Sequence, residues 1–154
     1  MVTTSTIRFS QLNPSLNHST QAGKTIPNVG FQGQTTFITG FIPSGAAGTV
    51  NGLQTPLGGL SGVTYDAVNN RYYAISDDRS QVAPARFYTF TTDTGVTFTN
   101  VTPLKDINGN FFALNSLDPE GIALTNNGTV FISSEGEVNP SAGRVTNPFI
   151  KNFP

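Results

Sequence analysis

Nine carboxylates in 154 residues are few enough to place one by one: Asp66, Asp77, Asp78, Asp93, Asp106, Asp118, Glu120, Glu135 and Glu137. The groups that could act with them are restricted. The chain has no Cys and one His, His18, which stands in the polar run 13–23 and reads as ordinary surface. A disulfide scaffold, a thiolate zinc site and a cysteine nucleophile are excluded, and a Ser-His-Asp triad or a multi-His metal site would need residues from elsewhere. Carboxylate and arginine chemistry remains. Carboxylates that cannot all be solvated are neutralised by a cation, and oxygen donors without His or thiolate select Ca²⁺ or Mg²⁺. Arginine beside such an ion binds phosphate or another oxyanion, a combination that supports ester hydrolysis without a nucleophilic side chain.

The elements that would gather these groups come from an internal repeat. SGVTYDAVNNRYYAISD (61–77) and EGIALTNNGTVFISSE (120–135) share a Gly before an aliphatic residue, an Asn-Asn turn, an aromatic in the second strand and a Ser before a carboxylate. Gly62 maps to Gly121, while Tyr73, Ser76 and Asp77 map to Phe131, Ser134 and Glu135. In an antiparallel hairpin the residue opening the first strand faces the residue closing the second, so Glu120 is expected beside Glu135 and Ser61 beside Asp77. By this geometry Asp77, Asp78, Asp118, Glu120, Glu135 and Glu137 share one rim. The third strand starts on that rim and brings Arg79 and Arg86 to it. A plainer reading makes Asp77, Asp78 and Asp118 turn and cap residues and pairs Arg86 with Asp78 at the surface, for about 0–1 kcal/mol. Tyr72, Tyr73, Phe87, Tyr88, Phe90 and Phe131 read as packing residues, and the three Asn-X-Ser/Thr sequons are expected by chance in a chain with 15 Asn and 21 Thr.

Composition agrees with short strands and many turns. Only 11% of residues are charged, against about 25% in ordinary soluble domains, and Gly and Pro supply 16 and 10 positions. A net charge of −1 gives no basic field for nucleic acid or an anionic membrane, so neither is expected as a partner. No signal peptide is legible, and no run approaches the ~18 apolar residues of a membrane span. Residues 1–33 read as an extended or poorly ordered lead-in. Strands are expected at 34–43, 61–66, 71–77, 85–91 and 95–101, the last four forming an antiparallel meander. After a loop through 105–118 the pattern restarts, and 136–154 reads as loop with weak strand signal at Phe149 and Ile150. A four-stranded unit restarting in this way is a β-propeller signature, with one full blade over about 58–104 and a partial second blade over about 118–154. Propellers close rings of typically four to eight blades, so the fold class expected is all-β, with blades in an incomplete ring. The chain is then an amino-terminal portion whose partners are the remaining blades. A small self-contained β-sandwich is the alternative.

GGLSGVTYD (58–66), YYAISDDR (72–79), ARFYTF (85–90), DPEGIAL (118–124) and SSEGE (133–137) resemble, in order, the motif series of the phytase-like family, also described as having esterase-like activity of phytase. That resemblance implies a longer β-propeller hydrolase acting on phosphate or other small-molecule esters, by similarity to calcium-dependent propeller phytases. It also implies an extracellular or periplasmic setting. Carried over by position, it points to Asp77, Asp78, Glu120 and Glu135 as ligands of Ca²⁺ and to Arg79 and Arg86 as anion contacts. The alternatives are a non-catalytic propeller binding module with structural calcium and a sugar-lactone hydrolase propeller.

Overall fold

The structure is a computed structural model that describes residues 4–12, 19–21, 24–26 and 29–154, with side chains described from Gln34 onward. His18 lies outside the described residues. The fold is all-β with antiparallel sheets, and among the described residues the only helical turns are short 3₁₀ segments at Gly45–Ala47 and Pro140–Ala142. Among the described residues no helix is long and apolar enough to cross a membrane.

Within the segment expected as a lead-in, β1 (Thr4–Leu12) pairs antiparallel with β4 (Val29–Ile38), and β2 (Ser19–Gln21) pairs with β3 (Lys24–Ile26). A short hairpin, β5 (Thr49–Val50) with β6 (Leu53–Gln54), interrupts the Gly/Pro-rich loop that follows. The expected meander comes next as a four-stranded sheet of β7 (Leu60–Asp66), β8 (Arg71–Ser76), β9 (Arg86–Thr91) and β10 (Thr97–Pro103). The second repeat gives β11 (Pro119–Leu124) and β12 (Val130–Ser134). Residues 136–154, expected to be mostly loop, instead form a hairpin of β13 (Glu137–Asn139) with β14 (Arg144–Thr146), and then β15 (Phe149–Phe153), which joins β12 as the third strand of the second sheet. Propensity missed this because each run is short and Gly136 and Pro148 punctuate it. Gly136 leaves room that Pro148 Cδ and the Thr146 carbonyl occupy.

The four-stranded sheet is buried on both faces, which explains why Phe87, Tyr88, Thr89 and Phe90 are all buried in succession on β9. Ile75 and Phe87 face the second sheet and meet Ile122, Val130, Ile132 and Phe153. Ala74, Tyr88 and Phe90 face the other way, against Ala47, Val50 and Leu57. β7 packs on β11, and the two run in the same direction without forming a ladder. Side chains bridge the seam instead: Ser61 Oγ donates to the Pro119 carbonyl at 3.2 Å, and the Leu124 amide donates to Thr64 Oγ1 at 3.2 Å.

The sequence repeat is a structural repeat in detail. In the first hairpin Leu60 pairs with Ser76 and Gly62 with Ile75, and in the second Pro119 pairs with Ser134 and Gly121 with Ser133. The register therefore shifts at Ser61 and at Glu120. The simple facing of Glu120 with Glu135 gives way to a β-bulge in which Glu120 is the extra residue. Beyond each bulge the same backbone bond recurs: Asp77 N–H donates to Gly59 O at 2.8 Å, and Glu135 N–H to Asp118 O at 2.9 Å. Gly59 and Asp118 are thus equivalent positions.

Candidate functional site

Strand ends and bulges re-aim side chains, and the acids collect where both occur. Asp77 follows β8, Asp118 precedes β11, Glu120 occupies the bulge of β11 and Glu135 follows β12. Asp118, Glu120 and Glu135 each bring one carboxylate oxygen into a group within 4.8 Å of one another. Asp77 lies in their field from the first sheet. Burial raises the pKa of Asp77 above the usual carboxylate range, and the charges of Asp118 and Asp78 raise it further. Burial likewise raises Glu120, reinforced by Asp118, Glu135 and Asp77. The neighbouring carboxylates thus disfavour the charged forms of Asp77 and Glu120, the condition under which a cation at the group would be favoured.

Local hydrogen bonds hold the frame. Ser134 Oγ accepts from the Asp118 amide at 2.8 Å, and Ser76 Oγ accepts from the Asp78 amide at 3.3 Å, so the repeated serines tie the chain at each hairpin mouth. At the far end, Asp66 organises the β7–β8 turn. Asn69 foremost, with Arg71 and Tyr73, hydrogen-bonds its carboxylate and holds its pKa at about 2 against burial.

Not every residue expected at the site joins the group. Asp78 turns into the 78–86 loop, where Oδ1 accepts from the Gln81 and Val82 amides and Oδ2 from the Ala83 amide and Arg86. Burial opposes its ionisation, but Arg86 and these three amides outweigh that and hold its pKa below the usual range. Arg86 is 1% exposed. Its guanidinium donates to Asp78 Oδ2 at 2.7 Å, to Tyr88 Oη at 2.7 Å, to the Pro56 carbonyl at 2.7 Å and to the carbonyls of Ala83 and Pro84. It clamps the loop from inside. The pairing of Arg86 with Asp78 read from the sequence is present, but it is buried rather than at the surface.

Arg79 stands at the border of the acid group. Its Nη2 pairs with Glu137, and its Nε lies 3.6 Å from Asp118 Oδ2, buried and without a hydrogen-bond partner. Arg144 grips the same Glu137 through both carboxylate oxygens, at 2.9 and 3.2 Å. Arg144 first, then Arg79, holds the Glu137 pKa at about 2. Arg144 escaped sequence reasoning because the hairpin that carries it was read as loop. Asp118 was placed on the rim but not among the ligands, although it opens the second repeat at the position where the first has Gly59. An open cleft lined by Phe87, Leu104, Phe112 and Phe153 among others includes none of these acids.

These side chains can concentrate negative charge, bind a hard cation and present one arginine to an oxyanion. The family described as phytase-like, esterase-like activity of phytase, matches residues 55–154, which take in both repeats and every member of the acid group. No curated protein and no solved structure gives a significant match. With more than half of its length matched, the chain belongs to the phytase-like family.

Proposed function

We propose that this chain carries part of a hydrolase acting on phosphate or other small-molecule esters, with Ca²⁺ held at the acid group. The observation that carries the reading is the convergence of Asp118, Glu120 and Glu135 oxygens within 4.8 Å. Family membership makes hydrolase-like chemistry the expected class. The donor set fits a hard ion, since every donor in the group is a carboxylate oxygen. Asp77, Asp118, Glu120 and Glu135 would hold the ion, which when bound supplies Lewis acidity to a phosphoryl or carbonyl oxygen. Arg79 would orient a substrate oxyanion by charge-assisted hydrogen bonding, its guanidinium steadied by Glu137 and Glu137 in turn by Arg144. The Asp78–Arg86 clamp fixes the loop that carries Arg79. We read the two packed sheets as propeller blades, supported by the repeated bulge and the parallel course of β7 and β11, with further blades as their partners.

The test is turnover of a chromogenic phosphomonoester, phytate and a short-chain carboxylic ester, with Ca²⁺ and with chelator. Metal-dependent hydrolysis of one of them is expected. No metal-dependent turnover on any overturns the reading.

One observation favours a second reading. The acid group straddles the seam, Asp77 coming from the first sheet and the other three from the second. A cation there would clamp the sheets in a non-catalytic binding module. In that case Ca²⁺ raises the Tm while no ester is turned over.

A further inference from the structure

Gly59 stands where the second repeat has Asp118, as the matched bonds from Asp77 and Glu135 establish. Glycine at a turn is commonly explained by a left-handed backbone, the explanation that suits Gly95 or Gly128. Gly59 has no such backbone, and it is exposed, so neither conformation nor core packing excludes a side chain there. The three nearest obstacles belong to one neighbour. A Cβ on Gly59 would overlap Oδ1, Oδ2 and Cγ of Asp77, closer than real Cβ atoms approach anything. These atoms end a short side chain, so the group that must yield is the carboxylate and not the strand.

We infer that Gly59 is a positioning residue for the acid group: its missing side chain is the space in which the Asp77 carboxylate lies, within the field of Asp118 and Glu120. The first repeat thus contributes one acid by leaving two positions small, Gly59 and Ser61, where the second repeat carries Asp118 and Glu120. This inference rests on the cation reading for its consequence but not for its geometry. Any side chain at position 59 turns Asp77 away and weakens cation binding as removal of the Asp77 carboxylate does.

The experiment is calorimetric titration of the full chain with Ca²⁺, comparing Gly59→Ala, Asp77→Ala and the double variant. Gly59→Ala is expected to weaken Ca²⁺ binding by ~10–100-fold, the range for residues that orient a ligand. Asp77→Ala should weaken it comparably, and the double variant no further. Unchanged affinity in Gly59→Ala, or losses that add in the double variant, would overturn the inference; a merely structural role would lower the Tm and leave affinity alone. Should the wild-type chain bind no Ca²⁺ at millimolar concentration, the cation reading falls. Crystal structures of metal-free wild type and Gly59→Ala then decide the positioning role: a displaced Asp77 carboxylate supports it and an unmoved one refutes it. If Gly59→Ala does not fold, recovery of the wild-type Tm by Gly59→Ala/Asp77→Ala supports the inference, and no recovery refutes it.

Discussion

Gly62 and Gly121, the same position in the two repeats, pack against each other: a Cβ on Gly62 would stand 3.1 Å from Gly121 Cα and 3.0 Å from the Glu120 carbonyl oxygen. The glycines that identify the repeat are therefore also its contact. Both neighbours are backbone, so neither can swing aside. Gly62→Ala is expected to cost ~1–3 kcal/mol, the range for overpacking, and Gly62→Val more. Urea unfolding checks this, and loss of Ca²⁺ affinity should accompany it, because the strand that must shift carries Glu120.

The Asp78–Arg86 pair separates stability from binding. Asp78→Ala leaves a buried guanidinium without its carboxylate and should cost ~3–5 kcal/mol by chemical denaturation. Ca²⁺ affinity of the folded fraction should stay close to wild type, because the Asp78 oxygens are committed to the loop. A loss as large as that of Glu120→Gln would return Asp78 to the ligand set.

Glu120→Gln should have opposite effects with and without Ca²⁺. The pKa of Glu120 is raised in the folded chain, by burial and by Asp118, Glu135 and Asp77, so its ionisation disfavours folding at pH values above that raised value. The glutamine form stays neutral. Metal-free Glu120→Gln should therefore melt higher than wild type at pH 7, equal it well below pH 4.5, and lose most of the Tm increase that Ca²⁺ gives the wild type. A thermal melt at both pH values, with and without Ca²⁺, reads all three.

Proton competition should make cation binding weaken in acid. Asp77 and Glu120, both raised, must be deprotonated to serve as ligands, so affinity should fall as the solution is acidified, beginning at a higher pH than for ordinary carboxylates. Glu137 behaves in the reverse sense. Its pKa falls from 4.5 to about 2, so its contribution to stability is complete above pH 4.5 and is lost as pH falls toward 2. Calorimetry across pH follows the first effect. NMR titration of the Glu137 carboxyl follows the second, and Arg144→Ala should move it back toward 4.5.

The hairpin pairs of both sheets were legible because alternation, Asn turns and the doubled motif all agreed over 61–101 and 120–135. The rim followed from them, since hairpin ends must meet. Three things were not legible. The bulges at Ser61 and Glu120 lie where Gly62 meets the Glu120 carbonyl and Gly121, a tertiary contact that no local pattern encodes. The pairing of β15 with β12 spans a fourteen-residue excursion, 135–148, whose turns around Gly136 and Pro148 look like the end of a domain. The burial of Arg86 depends on carbonyls of Pro56, Ala83 and Pro84 converging from two loops, and charge alone predicted a surface position.

The amide of Leu124, donated across the seam to the Thr64 hydroxyl, has a consequence for how the molecule breathes. Two strands running side by side could fuse into one continuous ladder, and then the sheets would open only together. Here a side-chain hydroxyl replaces the ladder, so each sheet can loosen as its own cooperative unit. Amide exchange at Leu124 then times the parting of the two sheets, and Thr64→Val would release that single amide while leaving those inside each sheet protected.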